Sequence, residues 1–243
     1  MNPNPRILAP LMGVALALTA CGGDQQLASG GVGEGGTGIV IGTTTGFGSV
    51  VVDGAAWDDR DARIEVEVDP RAPAALTDLK LGQRVELEFV PADIARRVRI
   101  EPEVIAPIAS MGPAADEFTV AGQRIRVNAD PLAGPVTLFD GVTDLAALTV
   151  ADIVEIHGTP RFDAAAGRKV VLASRIEKRA ALPAGLVRVS GEVQDYDPAT
   201  GRFRVGELTV TAATAPITPA NRGLANGQSV IVWGEAQPAA GPT

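Results

Sequence analysis

Few side chains in this 243-residue sequence could carry out acid–base or nucleophilic chemistry. His157 is the only histidine and Cys21 the only cysteine. A serine or cysteine nucleophile needs a base within hydrogen-bonding reach, so a Ser-His-Asp triad would depend entirely on His157. His157 follows Glu155 by two residues in a strand-like segment, and we expect a solvated histidine on the outward face of that strand. The sequence therefore assigns no catalytic residue, although a lysine base is left open.

Closely spaced carboxylates are the other candidates for chemistry. Asp195 and Asp197 flank Tyr196 and precede a Pro-Ala-Thr-Gly sequence, and Ca²⁺ favours six to eight oxygen ligands, often from closely spaced acids. The stretch lacks a distal bidentate acid, and an Asp at the start of such a turn accepts local backbone hydrogen bonds. We therefore predict a hairpin turn without a metal or cofactor, and keep a metal site at Asp195 and Asp197 as the alternative.

The composition argues against nucleic acid as a partner. The formal net charge is −8 at pH 7 and aromatic residues make up 4% of the chain, whereas nucleic-acid-binding proteins carry a basic footprint or aromatic stacking platforms. Trp57 aligns with Ile125 after the glycine of its hairpin and is predicted to be core. Trp233 shares a repeated position with His157, outside the apolar face of its strand, so both are candidates for a surface contact.

The N-terminus places Cys21 where a different chemistry applies. Residues 1–6 are polar and basic, residues 7–20 are uncharged, and the run ends in Leu-Thr-Ala before Cys21. This layout is typical of a secretory signal peptide, and the apolar run is too short for a transmembrane helix, which needs about 20 residues. The sequence around the cysteine resembles the lipobox of bacterial lipoproteins, in which a peptidase cleaves before Cys and the thiol carries a diacylglycerol.

This resemblance implies that Cys21 is lipidated and that the mature chain is tethered to a membrane outside the cytoplasm. Two or more acyl chains give stable anchoring, where one chain gives only marginal binding. Gly22 occupies the position at which inner-membrane lipoproteins often have Asp, which favours the outer membrane. The alternative is an ordinary signal peptide followed by a free cysteine.

The rest of the chain has the period-two apolar alternation and frequent Gly, Asp and Pro breaks of short β-strands. One pattern occurs three times, a Leu and a short turn followed by a strand with Val or Ile at alternate positions. We call it the turn–strand motif, and it occupies Leu79–Phe89, Leu148–Gly158 and Leu224–Gly234. A hairpin precedes each motif, and a closing strand follows the first two. The sequence thus predicts an all-β fold of three tandem five-stranded OB-like or Greek-key barrels, the third shortened.

The predicted boundaries follow from these repeats. They are a signal peptide at 1–20, the lipidated Cys and a Gly-rich flexible linker at 21–36, a first unit at 37–103, a second unit at 104–181, a shortened third unit at 182–238 and a tail at 239–243. Barrels this small are marginal alone, so we expect the units to pack together. The shortened third unit is expected to leave an open sheet edge.

The segment Gly38–Asp58 is similar to the opening of a bacterial domain-of-unknown-function family that occurs as tandem small β-barrels in secreted or lipid-anchored envelope proteins. The matching residues are Gly46–Ser49, Val50–Val52 and Asp53–Gly54. Gly82-Gln83 and Gly227-Gln228 also match, whereas the second unit has Ala151-Asp152 at that place. The resemblance implies a fold and an envelope location, and it supplies no activity and no catalytic residues.

Three functions remain open at this point. We expect a structural or protein-interaction module of the cell envelope, because an open edge in the third unit would suit strand addition. One alternative is a module that binds a glycan or another small ligand through a barrel face. A carboxylate-based hydrolase is the other, and the scarcity of His, Cys and aromatic residues argues against it. The expected partners are the membrane, through the lipid anchor, and an envelope protein or a glycan.

Overall fold

The computed structural model describes residues 37–235 apart from residues 113, 133, 165, 166, 213 and 221. This part of the chain contains seventeen β-strands and two short 3₁₀ helices, Leu145–Ala147 and Pro183–Gly185, so the predicted all-β class is confirmed. The predicted signal peptide, Cys21, the linker to residue 36 and the tail lie outside the described residues. Within those residues, no helix has the length and apolar character needed to span a membrane.

Seven strands of the first unit form one mixed sheet. They are β1 (Gly38–Gly46), β2 (Val50–Val52), β3 (Ala55–Trp57), β4 (Arg63–Val66), β5 (Ala75–Leu76), β6 (Arg84–Val90) and β7 (Ile94–Ile100). Their order in the sheet is β3-β2-β1-β6-β7-β4-β5. An isolated bridge pairs Asp58, just after β3, with Ile94 of β7, so the end of β3 lies beside the start of β7. Trp57 is buried in the apolar cluster of this unit, as predicted.

The second mixed sheet has ten strands. They are β8 (Val104–Met111), β9 (Glu117–Val120), β10 (Gln123–Val127), β11 (Leu138–Asp140), β12 (Ile153–Asp163), β13 (Arg168–Arg179), β14 (Val187–Asp197), β15 (Arg202–Val205), β16 (Leu208–Thr211) and β17 (Ser229–Gly234). The pairings lead from β8 to β9, β10, β13, β12 and back to β8. These five strands of the second unit therefore close a ring, and Ile125 is buried inside it.

The third unit shares this sheet with the second. Strand β14 pairs antiparallel with β8, β15 and β17, and β16 pairs with β15. Among the described residues, β17 has β14 as its one neighbour and β16 has β15 as its one neighbour. The strands of the third unit therefore do not close a ring. Because the second and third units share one sheet, the count of three separate barrels stays a prediction.

The turn–strand motif begins with the same turn in all three units. Its left-handed residue has a φ of +79° at Gly82, +74° at Ala151 and +85° at Gly227. In each turn, the side chain of the next residue accepts the backbone N–H three positions earlier. These bonds join Lys80 to Gln83 (2.8 Å), Thr149 to Asp152 (2.9 Å) and Ala225 to Gln228 (2.9 Å). The Ala-Asp sequence of the second unit therefore keeps the turn geometry of the Gly-Gln sequences.

Candidate functional site

His157 lies at a buried junction between the first and second units. Its exposed fraction is 0%, so the prediction of a solvated histidine on an outward face is wrong. Its Nδ1 accepts the backbone N–H of Arg84 in β6 at 3.2 Å, and its Nε2 lies 2.9 Å from Oε1 of Glu155. Because Nδ1 accepts a hydrogen bond, the ring proton lies on Nε2 and is donated to Glu155. The strand pattern correctly separated His157 from the core of its own unit, but the first unit covers that outer face.

Glu155 connects this histidine to the arginines of the junction. Its other carboxylate oxygen accepts from Nη1 of Arg179 at 2.9 Å. Burial raises the pKa of Glu155, but the hydrogen bond from His157 and the positive charges of Arg179 and Arg188 outweigh it, so the pKa lies below its ordinary value. Glu155 therefore stays ionised although it is almost fully buried.

Arg188 of β14 brings the third unit into the same junction. Its exposed fraction is 1%, and its Nη2 donates to Glu101, which follows the last strand of the first unit. Burial lowers the pKa of Arg188, while the negative charges of Glu101, Glu103, Glu67 and Glu155 act in the opposite direction. Arg188 alternates with the apolar Val187 and Val189 along β14, and the structure shows that the face it occupies is an internal contact.

Trp233 is half-buried beside Arg188, so its predicted role as an exposed contact is also corrected. Its indole Nε1 donates to Oε2 of Glu67 at 2.9 Å, and the guanidinium carbon of Arg188 lies 5.9 Å from its ring centroid. Cation–π contacts of this range are attractive, more so when both groups are desolvated. The two candidate surface residues, His157 and Trp233, thus belong to one charged junction that includes residues of all three units.

The polar side chains of this junction mainly form contacts that hold the units together. Both ring nitrogens of His157 are engaged by protein atoms, and its side chain has no contact with solvent. A cavity of about 260 Å³ lies next to it and is lined in part by Glu67, Glu155 and Lys80. Lys80 itself crosses from the first unit to the second, with Nζ 2.9 Å from both Asp140 and Glu177. The ionisable groups are therefore mostly committed to contacts between units.

The alternative metal site at Asp195 and Asp197 is a hairpin turn. Oδ1 of Asp197 accepts the N–H of Ala199 at 2.9 Å, and hydrogen bonds from Thr200 and Ala199 lower the pKa of Asp197. Asp195 instead forms an exposed ion pair with Arg204, at 2.7 Å. Across the part of the chain that is described, no three His, Cys, Asp or Glu side chains are grouped so that they could hold a metal ion.

The feature that singles out the third unit is a gap between β16 and β17, which we call the open slot. Val85 and Leu87 of the first unit, and Val154 and Ile156 of the second, have an exposed fraction of 0%. The turn–strand motif aligns Val230 and Val232 of β17 with these residues, yet both are only half-buried. The inward residues of β16, Leu208 and Val210, are half-buried as well. The signal in the sequence was the missing closing strand after the third motif.

A second concave surface lies on the second unit, beside the far end of the β12–β13 hairpin. This groove has a volume of about 690 Å³ and is lined in part by Arg126, Asn128, Phe162 and Leu172. Phe162 is 67% exposed there. Arg126 is held by Glu117 and Asp163, so the groove combines a free aromatic ring with polar groups that are already fixed.

Comparison with known proteins identifies one region of the chain. Neither a curated protein nor a solved structure matches the chain significantly. Residues 106–177, which make up most of the second unit, match the model of a family described as a domain of unknown function, DUF5666. The matched unit is thus the one whose strands close a ring, and it is also the one that carries Ala151-Asp152 in place of Gly-Gln.

Proposed function

We propose that this chain is a membrane-anchored extracytoplasmic lipoprotein that acts as a structural or protein-interaction module of the cell envelope, and not as an enzyme. The observation that carries the proposal is the open slot of the third unit. Its two walls, β16 and β17, each have a free edge among the described residues. A free sheet edge presents unpaired N–H and C=O groups to which another strand can add.

The sequence of the slot supports this role because it lacks the usual protection of edge strands. Soluble proteins commonly guard such edges with charged residues, proline or bulges. Strand β17 reads Ser-Val-Ile-Val-Trp-Gly and β16 reads Leu-Thr-Val-Thr, with no charge and no proline in either. Ile231 at the centre of β17 is 48% exposed. An edge that is both apolar and unguarded fits a surface that a partner covers.

The barrel type and the lipid anchor are further parts of the proposal. The closed ring of the second unit supports OB-like or Greek-key barrels as the repeated module. The apolar run before Cys21 supports cleavage and lipidation at that residue, and Gly22 in place of Asp favours attachment to the outer membrane. Replacing Cys21 by Ser should abolish fatty-acid labelling and leave the precursor uncleaved. A Cys21→Ser chain that still matures and takes up fatty acid would show that the anchor lies elsewhere.

The interaction itself is tested by cross-linking in the native envelope. A photo-activated amino acid at Ile231 of β17 should capture one dominant protein. The matched control places the same group at Phe162, which is also a large exposed apolar residue but lies on the second unit. Equal capture at both positions would indicate nonspecific apolar contact, and no capture at Ile231 would refute a partner at the open slot.

A glycan or small ligand is the second candidate, and the groove beside Phe162 favours it. Ligand sites are concave surfaces of about 300–1,000 Å³ with apolar walls and a few fixed polar groups, and the groove falls in that range. Peptidoglycan fragments should then raise the thermal midpoint of the full chain, because a ligand that binds only the folded state stabilises it. Replacement of Phe162 by Ala should abolish that rise if the groove is the site.

A further inference from the structure

We infer that the occupant of the open slot is a single extended strand of a partner protein, which runs antiparallel to β17 and parallel to β16. This inference rests on the proposed function and specifies what the partner contributes. The complete second unit supplies the geometry, because its strands β10 and β12 correspond to β16 and β17. The strand between them, β13, runs parallel to β10 and antiparallel to β12.

The first unit has the same arrangement. Strand β7 runs antiparallel to β6, the strand of the turn–strand motif, and meets the end of β3 through a parallel bridge between Asp58 and Ile94. Two units of this chain therefore place the closing strand in one direction. A strand that fills the open slot in this direction would give both free edges the hydrogen-bonding partners that β7 and β13 give in the other units.

The complete units also specify the side chains that the slot accepts. The inward residues of the closing strands are small or β-branched, and all are buried: Ala95, Val98 and Ile100 in β7, and Val171, Ala173 and Ile176 in β13. The floor of the slot is already packed, since Val189, Val193, Phe203 and Val205 are buried. We therefore expect a donor strand with Ala, Val or Ile and no charge on its inward face. Its inward residues should be two positions apart, except where a bulge like those of β7 and β13 adds one residue.

A second copy of this chain cannot fill the slot with its own β17. That strand already pairs with β14 along Ser229–Gly234, so it has one free edge, whereas the slot needs a strand with two. The residues that follow β17 are also poor donors, since Pro238 and Pro242 lack the N–H that a sheet requires. The donor is therefore a segment that is unpaired in its own protein, such as a terminal extension.

A peptide with the sequence of residues 170–179, taken from β13, is the first probe. Added to the purified full-length lipoprotein, it should raise the thermal midpoint by a few degrees in a concentration-dependent way. It should also slow amide exchange along β17 and β16. The matched control is the same peptide with Ala173→Asp and Ile176→Asp, which puts charges on the inward face and should do neither. An equal effect of both peptides, or no effect of the first, would overturn the inference.

Amide exchange in the cross-linked complex separates this inference from the proposed function. If Ile231 captures a partner and the amides of β17 become protected, both stand. If a partner is captured but β17 exchanges as fast as in the free chain, the module still binds a protein, and the strand-addition geometry is wrong. If no partner is captured, the proposed function fails, whatever the peptide does.

Discussion

The second and third units start from the same motif and end in different states of closure. In the second, Val154 and Ile156 of β12 are shut off from solvent by β13 on one side and β8 on the other. In the third, Val230 and Val232 of β17 have β14 on one side and no described strand on the other. The inward pattern is therefore the same, and the difference in burial comes from one missing neighbour.

The comparison teaches that the third unit depends on its neighbours. It shares the sheet and the apolar cluster of the second unit, and its outer face contacts the first unit. Where the second unit is closed by its own strands, the third is supported by Arg188 and Trp233, which reach the carboxylates of the first unit. A small barrel buries too little surface to be stable alone, so a unit with an incomplete core needs such contacts with its neighbours. The proposed partner strand would then reach the half-buried residues of its inner face.

Removal of Arg188 should give the largest effect, because it breaks a buried ion pair between the third and first units. Arg188→Ala leaves Glu101 without its buried cation, and breaking a buried ion pair typically costs about 3–5 kcal/mol. Denaturant unfolding of the full chain measures the loss. Arg204→Ala is the matched control in the same unit, because its ion pair with Asp195 is exposed and should be worth less than about 1 kcal/mol. Similar losses for the two variants would contradict the support role of Arg188.

Val154 and Val230 allow the two cores to be compared directly, since they are the same residue at the same position of the motif. Val154→Ala opens a cavity in a closed core and should lower the free energy of unfolding by about 2–3 kcal/mol. Val230→Ala removes methyl groups that are half in solvent, and should cost less than about 1 kcal/mol. Addition of the β13 peptide should enlarge the Val230→Ala loss. Equal losses without peptide would mean that the slot is already closed.

The turn of the motif provides a third matched pair. A Cβ on Gly82 would lie 2.8 Å from the carbonyl oxygen of Ser174 in the second unit, whereas one on Gly227 would meet nothing within 4 Å. Both have positive φ, which costs an alanine about 1–2 kcal/mol. Gly227→Ala should therefore cost about 1 kcal/mol and Gly82→Ala about 2 kcal/mol. The cost at Gly82 is larger because the new Cβ would also push the first and second units apart. Thermal unfolding tests the order, and a larger loss at Gly227 would contradict it.

Acid should weaken the junction by a smaller, graded amount. The pKa of Glu155 is lower in the folded chain than its ordinary value of 4.5, so its contribution to stability is complete above about pH 4.5 and is lost as the pH falls through the folded value. Burial raises the pKa of Glu101, so its contribution has the opposite sign and offsets part of the loss. Unfolding of the Glu155→Gln variant between pH 6 and 3 should be less sensitive to acid than that of the native chain. An unchanged slope would show that other carboxylates dominate.

The sequence predicted those parts of the fold that depend on local pattern. Period-two alternation identified the strands, and the Asp197–Gly201 turn follows from residue types whose backbone preferences act over a few positions. The burial of Trp57 followed from its alignment with Ile125. The second unit has Ala151-Asp152 where the other units have Gly-Gln, and its turn is the same, since the φ of Ala151 matches that of Gly82.

The candidate site was harder to predict because it depends on what covers an outer face. Alternation placed His157 and Arg188 off the core faces of their strands, which is correct. It could not show that β6 and Glu101 of the first unit lie against those faces, because the contacts join residues 73 and 87 positions apart. A polar strand face appears the same in sequence whether water or another unit lies against it.

Strand β8 has a consequence for the order in which the chain assembles. Val104 and Ile105 have β12 on one side and β14 on the other, so β8 cannot be complete until both later strands have been made. During synthesis the first unit has all its strands as soon as Ile100 has emerged, and N-terminal domains generally fold first. The second and third units should instead assemble as one cooperative block. A chain truncated after residue 181 would leave Val104 and Ile105 on an unguarded edge, and it should aggregate where the full chain stays dispersed.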